Sequence, residues 1–385
     1  MKNTGDPQIV KRINRGVLLR LLRSEPGLSR AQLASQSALP PSSVGQLIGE
    51  LIEEGWVTDV TSDSASGRTS SSLYISVRSR GLIGAELAVD YRRVVAVSLL
   101  GEVLWSCEEP LTNTDPNAVC APLASLIAQA NAALQARGMQ LSGIGVGLPG
   151  AIDDFSGVVR FAPNLGWRNV KWSPLLIDAL YQAGLPRVPV YIQNEADTAA
   201  LSEYEFSEGD RPDSLIFVNC GIGVGAGIVL NDRLFTGTNG MAGEIGHNIL
   251  QLNGTLCSCG RLGCFEAYIG SRAIQPDSVS SLQDAGHDLG VLMQNLWTTF
   301  DPSVLVVGGS SCMHYPDLVQ AASATLQLYA LSAGVSAPQL RLARYGLQAA
   351  AVGAAALVLH RLFRPTTQRA HHVSMVEPAS PDELF

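Results

Sequence analysis

Hydrophobic positions in the first eighty residues recur first at helical spacing and then at alternate positions. Over residues 9–22 the period is near 3.6, and it places Ile13, Val17 and Leu21 on one stripe. Pro26-Gly27 interrupts it. Ser29 is a good N-cap for a short helix over residues 30–35, with Leu33 and Ala34 inward. After Ala38-Leu39-Pro40 a second helix starts near Pro41 or Ser42, buries Val44, Leu47, Ile48 and Leu51, and ends at Gly55. Residues 56–60 and 73–77 read as two strands, joined by a polar segment over residues 62–70.

Two short helices at this spacing resemble a helix-turn-helix, and the polar segment resembles a wing. Ser42, Ser43 and Gln46 point away from the core of the second helix and are able to bond base edges or phosphates. Arg30 and the wing residue Arg68 complete the DNA-contact candidates. Charge agrees: residues 1–80 carry ten Lys or Arg against seven Asp or Glu, while the whole chain is at -8, so the remainder carries -11.

The pattern changes near Gly81. Residues 83–89 and 94–100 are apolar enough for buried strands, with a helix at 121–136 and a strand from 141 running into Gly147-Leu148-Pro149-Gly150. Residues 188–192 form a strand, and Asn194-Glu195 opens a helix. Residues 215–219 and 302–309 are further strands, and an alanine-rich helix spans 346–363.

The chemistry concentrates at residues 244–266. Glu244-Ile245-Gly246-His247 is followed, after nine residues, by Cys257-Ser258-Cys259-Gly260-Arg261-Leu262-Gly263-Cys264-Phe265-Glu266. Three thiolates and one imidazole make a closed tetrahedral set for Zn2+ of the structural kind. The predicted ligands are His247, Cys257, Cys259 and Cys264.

This signature resembles that of the ROK proteins, a family of sugar-sensing repressors and sugar kinases, and Gly67-Arg68 is similar to the wing of its repressors. The resemblance runs from about residue 9 to about residue 362. It implies an α/β fold: an N-terminal winged helix-turn-helix, then a two-lobed actin- and hexokinase-like (ribonuclease H-like) body braced by a structural zinc. The implied boundaries are 1–79 for the head, 80–193 plus 346–364 for lobe I, 194–345 for lobe II, and 365–385 for a disordered tail containing His371-His372. Carried over by motif, Asn194, Glu195, Glu244, His247 and Glu266 converge on one monosaccharide, with Gly150 and Asn164 added from lobe I. His247 would offer one nitrogen to zinc and the other to a sugar hydroxyl.

Three loops depart from the family's kinases. Their first phosphate loop, Asp-x-Gly-Gly-Thr, corresponds to Glu86-Leu87-Ala88-Val89-Asp90, without the glycines or the hydroxyl. Gly-Thr-Gly has become Gly221-Ile222-Gly223, which reads as a plain turn. The general base, an aspartate in kinases, is Glu195 here, one methylene longer. Only 35 residues separate Glu266 from Pro302, shorter than usual, and residues 275–281 look like the scar of a missing helix or two.

The reading is therefore a cytoplasmic, sugar-responsive regulator and not an enzyme: a repressor of carbohydrate-utilisation genes, a homodimer or dimer of dimers, with an operator duplex and a sugar as partners. The alternatives are an ATP-dependent sugar kinase with an appended DNA-binding head, and a regulator controlled by a protein partner. A length of 385 residues suits two or three domains. No apolar run is read as transmembrane, no signal peptide opens the chain, and seven scattered or metal-committed cysteines suit a reducing compartment. Cys107, Cys120, Cys220 and Cys312 are assigned to core packing.

Overall fold

The structure is a computed structural model and describes residues 6–63, 69–153, 156–207 and 212–364. Helices α1 (Pro7–Ser24), α2 (Arg30–Ser37) and α3 (Pro41–Glu53) precede an antiparallel pair, β1 (Val57–Asp63) and β2 (Thr69–Ile75). Ser29 caps α2 in a full capping box with Gln32. The buried face of α3 is Val44, Leu47, Ile48 and Leu51, as its period requires. On α1 the expected stripe is displaced. Arg15, Leu18, Leu19 and Leu22 are buried, whereas Ile13, Val17 and Leu21 are only half-buried. The displacement follows from Arg15, whose charge is met by Glu50 and Glu54 of the second helix-turn-helix helix and its cap, so a basic residue enters the core.

The body contains two five-stranded mixed sheets. The first has the order β10-β6-β3-β4-β5, from β3 (Arg80–Leu87), β4 (Tyr91–Ser98), β5 (Val103–Pro110), β6 (Gln140–Leu148) and β10 (Val190–Asn194). Helices α4 (Cys120–Gln135) and α5 (Trp172–Gln182) accompany it, with a small sheet of β7 (Ala151–Asp153), β8 (Val158–Ala162) and β9 (Trp167–Lys171). The second sheet has the order β13-β12-β11-β14-β15, from β11 (Ser214–Cys220), β12 (Val224–Leu230), β13 (Arg233–Leu234), β14 (Val304–Gly308) and β15 (Gln339–Leu342). Its helices are α7 (Glu266–Ile269), α8 (Val279–Phe300), α9 (Gly309–His314) and α10 (Pro316–Ala333). The supposed scar at 275–281 is the turn that leads into α8, whose N-cap is Ser278.

Between the sheets lie α6 (Glu195–Glu205) and α11 (Ala349–Phe363), packed against each other. Residues 346–363 are long and apolar enough to cross a membrane, which corrects the sequence expectation that no run is. From Ala349 to His360 every residue is buried inside the protein, so this is a core helix. Glycines set the spacing of this layer. A Cβ on Gly353 of α11 would lie 1.6 Å from the Thr198 carbonyl oxygen of α6, and one on Gly227 of β12 would lie 2.1 Å from that of Ala196. Of the four cysteines assigned to packing, Cys120, Cys220 and Cys312 are buried, and Cys107 is half-buried on β5.

At its far end α6 meets the head. Glu205 is fully buried and has three basic neighbours: Arg23 of α1 at 3.0 Å, His360 of α11 at 2.7 Å and Arg364 at 2.6 Å. Burial alone would raise this carboxyl's pKa. The charges of Arg364 and Arg23 and the His360 hydrogen bond overcome that and hold it well below the ordinary value. Arg20 of α1 also donates to the Phe363 carbonyl at 3.2 Å.

Candidate functional site

The cleft between the sheets contains a small polar cup. Its walls come from the β6–β7 turn (Pro149, Gly150), the turn before β9 (Pro163, Asn164), the β10–α6 junction (Asn194, Glu195), the start of β12, and the 242–247 and 266 segments. All seven predicted sugar residues line it: Gly150, Asn164, Asn194, Glu195, Glu244, His247 and Glu266. In this conformation it encloses about 40 Å³, room for a water or two and not for a sugar ring.

The residues differ in how free they are. The Asn194 side chain accepts from the amides of Ala196 and Asp197 as the N-cap of α6, and donates to the Gly150 carbonyl at 3.0 Å. It ties the β6–β7 turn to the start of α6 at the cup. Glu266 accepts from the Val224 amide at 3.1 Å and from the Ser258 hydroxyl at 2.8 Å. Ser258 sits between two metal-ligand candidates, a partner the sequence reading missed. Glu195 Oε2 is shut off from solvent and has no hydrogen-bond partner among the described residues. Burial, helped by the charges of Glu244, Glu86 and Glu266, pushes the Glu195 carboxyl up to about 8. Burial and Glu266 push Glu244 up to about 7.

Behind this wall His247, Cys257, Cys259 and Cys264 place their ligand atoms within 4.8 Å of one another. His247 Nδ1 lies 3.7 Å from Cys257 Sγ, and Cys259 Sγ lies 3.8 Å from Cys264 Sγ. The edge of a tetrahedron built on metal–sulfur bonds of 2.3 Å is about 3.8 Å, so the donor set fits a tetrahedral ion and is far too open for a disulfide. The other ring nitrogen, Nε2, faces Glu244 at 3.8 Å on the cup side. The residues thus form a cluster able to hold a metal ion, tied to the cup by one imidazole.

A second, larger cavity lies on the far side of Glu195. It encloses about 300 Å³ and is lined by the segment 86–90, Arg93, the turn Gly221-Ile222-Gly223, Gly309, Ser310 and Leu347, among others. The turn is a tight hairpin between β11 and β12, with Cys220 opposite Val224 and the Gly221 amide on the Gly223 carbonyl. Glu86 is spent on Arg93 at 2.9 Å and on the Tyr91 hydroxyl at 2.7 Å. No phosphate-binding hydroxyl stands in the turn or in the 86–90 segment.

In the head, Ser42 and Gln46 are exposed and Ser43 half-exposed on α3, and Gln46 reaches Glu50 at 3.2 Å. Arg30 bonds Asp59 at 2.8 Å and Ser71 at 2.9 Å, which fixes α2 to the wing strands. Arg68, like the 365–385 tail with His371-His372, lies outside the described residues.

The ROK family pattern matches residues 83–285 and 275–361, and a winged helix-turn-helix DNA-binding pattern matches residues 12–58. The chain belongs to the ROK family. The two matched segments overlap at residues 275–285, around the start of α8. Among relatives, the xylose repressor of Bacillus subtilis (strain 168) is 26% identical over 378 residues, covering 92% of this chain and 97% of its own. Among solved structures, a ROK family transcriptional regulator described as a homologue of the Escherichia coli MLC protein superposes with a TM-score of 0.75 at 25% identity, covering 92% of this chain and 97% of that one. A ROK family glucokinase from Streptomyces griseus, in complex with glucose and AMPPNP, gives 0.61 at 26% identity over 72% of this chain and 98% of that one. The regulator thus matches head and body together, and the kinase matches the body. This ROK protein has the repressors' architecture and is not an enzyme.

Proposed function

We propose that this ROK protein is a sugar-responsive repressor of carbohydrate-utilisation genes, acting in the cytoplasm as a homodimer on an operator duplex. The observation that carries the reading is the joining of a winged helix-turn-helix to a cup lined by all seven expected sugar residues. The kinase alternative is disfavoured by the Glu86–Arg93 pair and by Ile222, which occupy positions where phosphate contacts would be needed. Control by a protein partner has no observation in its favour.

Zinc is the metal best suited to one imidazole and three thiolates, and its role is structural: four protein ligands leave no open position. It would set the ring of His247 and the backbone that carries Ser258 and Glu266. The cup is small as it stands, so a sugar is expected to favour a more open arrangement of its walls over this one. Helix α6 then supplies a route to the head. Its first residue is in the cup and its last is bonded to Arg23 of α1. Two heads reading half-sites about one turn apart explain the dimer, and α10 exposes Leu328 and Leu331 for self-association.

The test is operator binding by the full chain, titrated with a panel of neutral sugars, with thermal shift as a second readout. Release from operator by one sugar and a matching rise in melting temperature are expected. Operator binding indifferent to every sugar, with no thermal shift, would return the protein-partner reading to the front.

A further inference from the structure

The cup and the larger chamber share Pro149, Glu195 and Gly223 as lining, so the two cavities meet at the Glu195 carboxyl. The chamber is open at about 300 Å³, the lower end of the size range of small-molecule sites. A chain that retains such a space beside its sugar cup, without the means to hold phosphate there, has room for something else.

Charge decides what. Four acidic side chains, Glu86, Asp90, Glu108 and Glu195, line the chamber, and the one guanidinium is that of Arg93. Arg93 is already paired with both Glu86 and Glu108. His314 is the other basic side chain of the lining, and the carboxyl groups outnumber the two basic ones, so an added phosphate would face net negative charge. The rest of the lining is mostly apolar, including Leu87, Val89, Ile222, Leu347 and Ala350. Ser310 and Asn219 give it a few hydrogen-bonding groups. Apolar walls with a few convergent polar groups suit an uncharged group that has both a hydrocarbon face and hydroxyls.

We propose that the effector is an unphosphorylated glycoside: one sugar ring in the cup, and an uncharged second group, a further sugar or an aglycone, in the chamber beyond Glu195. This rests on the sugar-sensing reading of the cup and adds the chemical class of its ligand. Glu195 stands where the two parts join, and a turn of its side chain would bring the buried Oε2 against a hydroxyl of the ligand.

The experiment titrates the operator complex of the full chain with glucose, xylose, their phenyl glycosides and disaccharides, and glucose 6-phosphate. Two variants fill the chamber without touching the cup, Ile222→Trp and Ala88→Phe, each first checked for a cooperative melt. In the parent, a glycoside should act at a concentration at least about tenfold below its parent monosaccharide, and the phosphate should be inert. In a folded filling variant that advantage should shrink while the monosaccharide response persists. A sugar phosphate as the strongest effector, equal midpoints for monosaccharide and glycoside in the parent, or an advantage untouched by both fillings would overturn the proposal and leave sugar sensing intact. Failure of every sugar to act would instead remove the reading on which it rests.

Discussion

Glu195 and Glu205 are the two ends of α6, and each end reports to a different site. Glu195 faces the cup with an unpartnered oxygen, while Glu205, about 15 Å along the axis, holds Arg23 of the DNA-binding head together with His360 and Arg364. Helix α6 thus physically connects the cup to α1.

The buried cluster should be costly to break and informative when broken gently. Glu205→Ala leaves two buried guanidinium groups and the His360 ring without their carboxylate and should lose about 3–5 kcal/mol in chemical denaturation. Arg23→Gln breaks the link between Glu205 and α1, together with the guanidinium's contacts over the Phe206 and Phe363 rings. It should keep the body folded and bind the sugar with the parent affinity, yet release operator less completely. Unchanged sugar-dependent release would show that α6 and Arg23 are not the route.

Metal content is the next test. Metal analysis of the purified protein should give about one zinc per chain, and Cys259→Ser should lower content and melting temperature together. Full zinc content in a Cys257, Cys259 and Cys264 triple serine variant would remove the assignment.

Glu266 should govern sugar response without governing DNA binding. Glu266→Gln keeps the size of the side chain but sets an amide group against the donors Val224 N–H and Ser258 O–H. Sugar affinity should fall by about 1.5–3 kcal/mol, the range for a hydrogen bond to a charged group, or roughly ten- to a hundredfold in midpoint. Operator occupancy without sugar should match the parent. An identical sugar midpoint would place the effector elsewhere.

Glu195 gives a pH dependence of definite sign. Its folded pKa, about 8, lies above the unfolded value, so the native state holds a proton that the unfolded chain releases. Its contribution to stability is fully present below about pH 4.3 and is lost as pH rises through 8. Glu195→Gln cannot lose a proton. Relative to the parent it should therefore gain roughly 3–5 kcal/mol between pH 5 and pH 9. Parallel stability curves for the two proteins over that window would contradict the assignment.

On DNA, Gln46→Ala should relax discrimination at one or two base pairs, each worth about 1–3 kcal/mol. Arg68→Ala should weaken binding and reduce its salt dependence. Arg30→Ala acts through the Asp59 and Ser71 bonds, so its loss should appear first as lower stability of the head. Selection of bound sequences with each variant separates these effects. An unaltered preferred sequence with Gln46→Ala would move the reading face off α3.

What could be read from the chain and what could not divide along the range of the interactions. The α3 stripe, the Ser29 cap and the metal cluster are written in spacings of a few residues, and each is found where the pattern puts it. The α1 stripe was misread because Arg15 looks like a surface residue until Glu50 and Glu54, 35 and 39 positions away, are brought beside it. Glu205 gives no local sign either: its partners lie 182, 155 and 159 positions away. In the cup, the family motif located all seven residues. It could not show that Asn194 serves as a helix cap, nor that Ser258 orients Glu266. The chamber is invisible to periodicity because it is made of loop ends from both lobes.

The glycine contacts along α6 have a mechanical consequence. Where Gly353 lets α11 touch Thr198 backbone to backbone, and Gly227 does the same for β12 against Ala196, no side chain lies between the elements to absorb a displacement by changing rotamer. The joint has little backlash. If a ligand shifts α6 at the cleft, such a joint would carry the movement toward α1 with little loss, and a small molecule could then act on a head that it never touches.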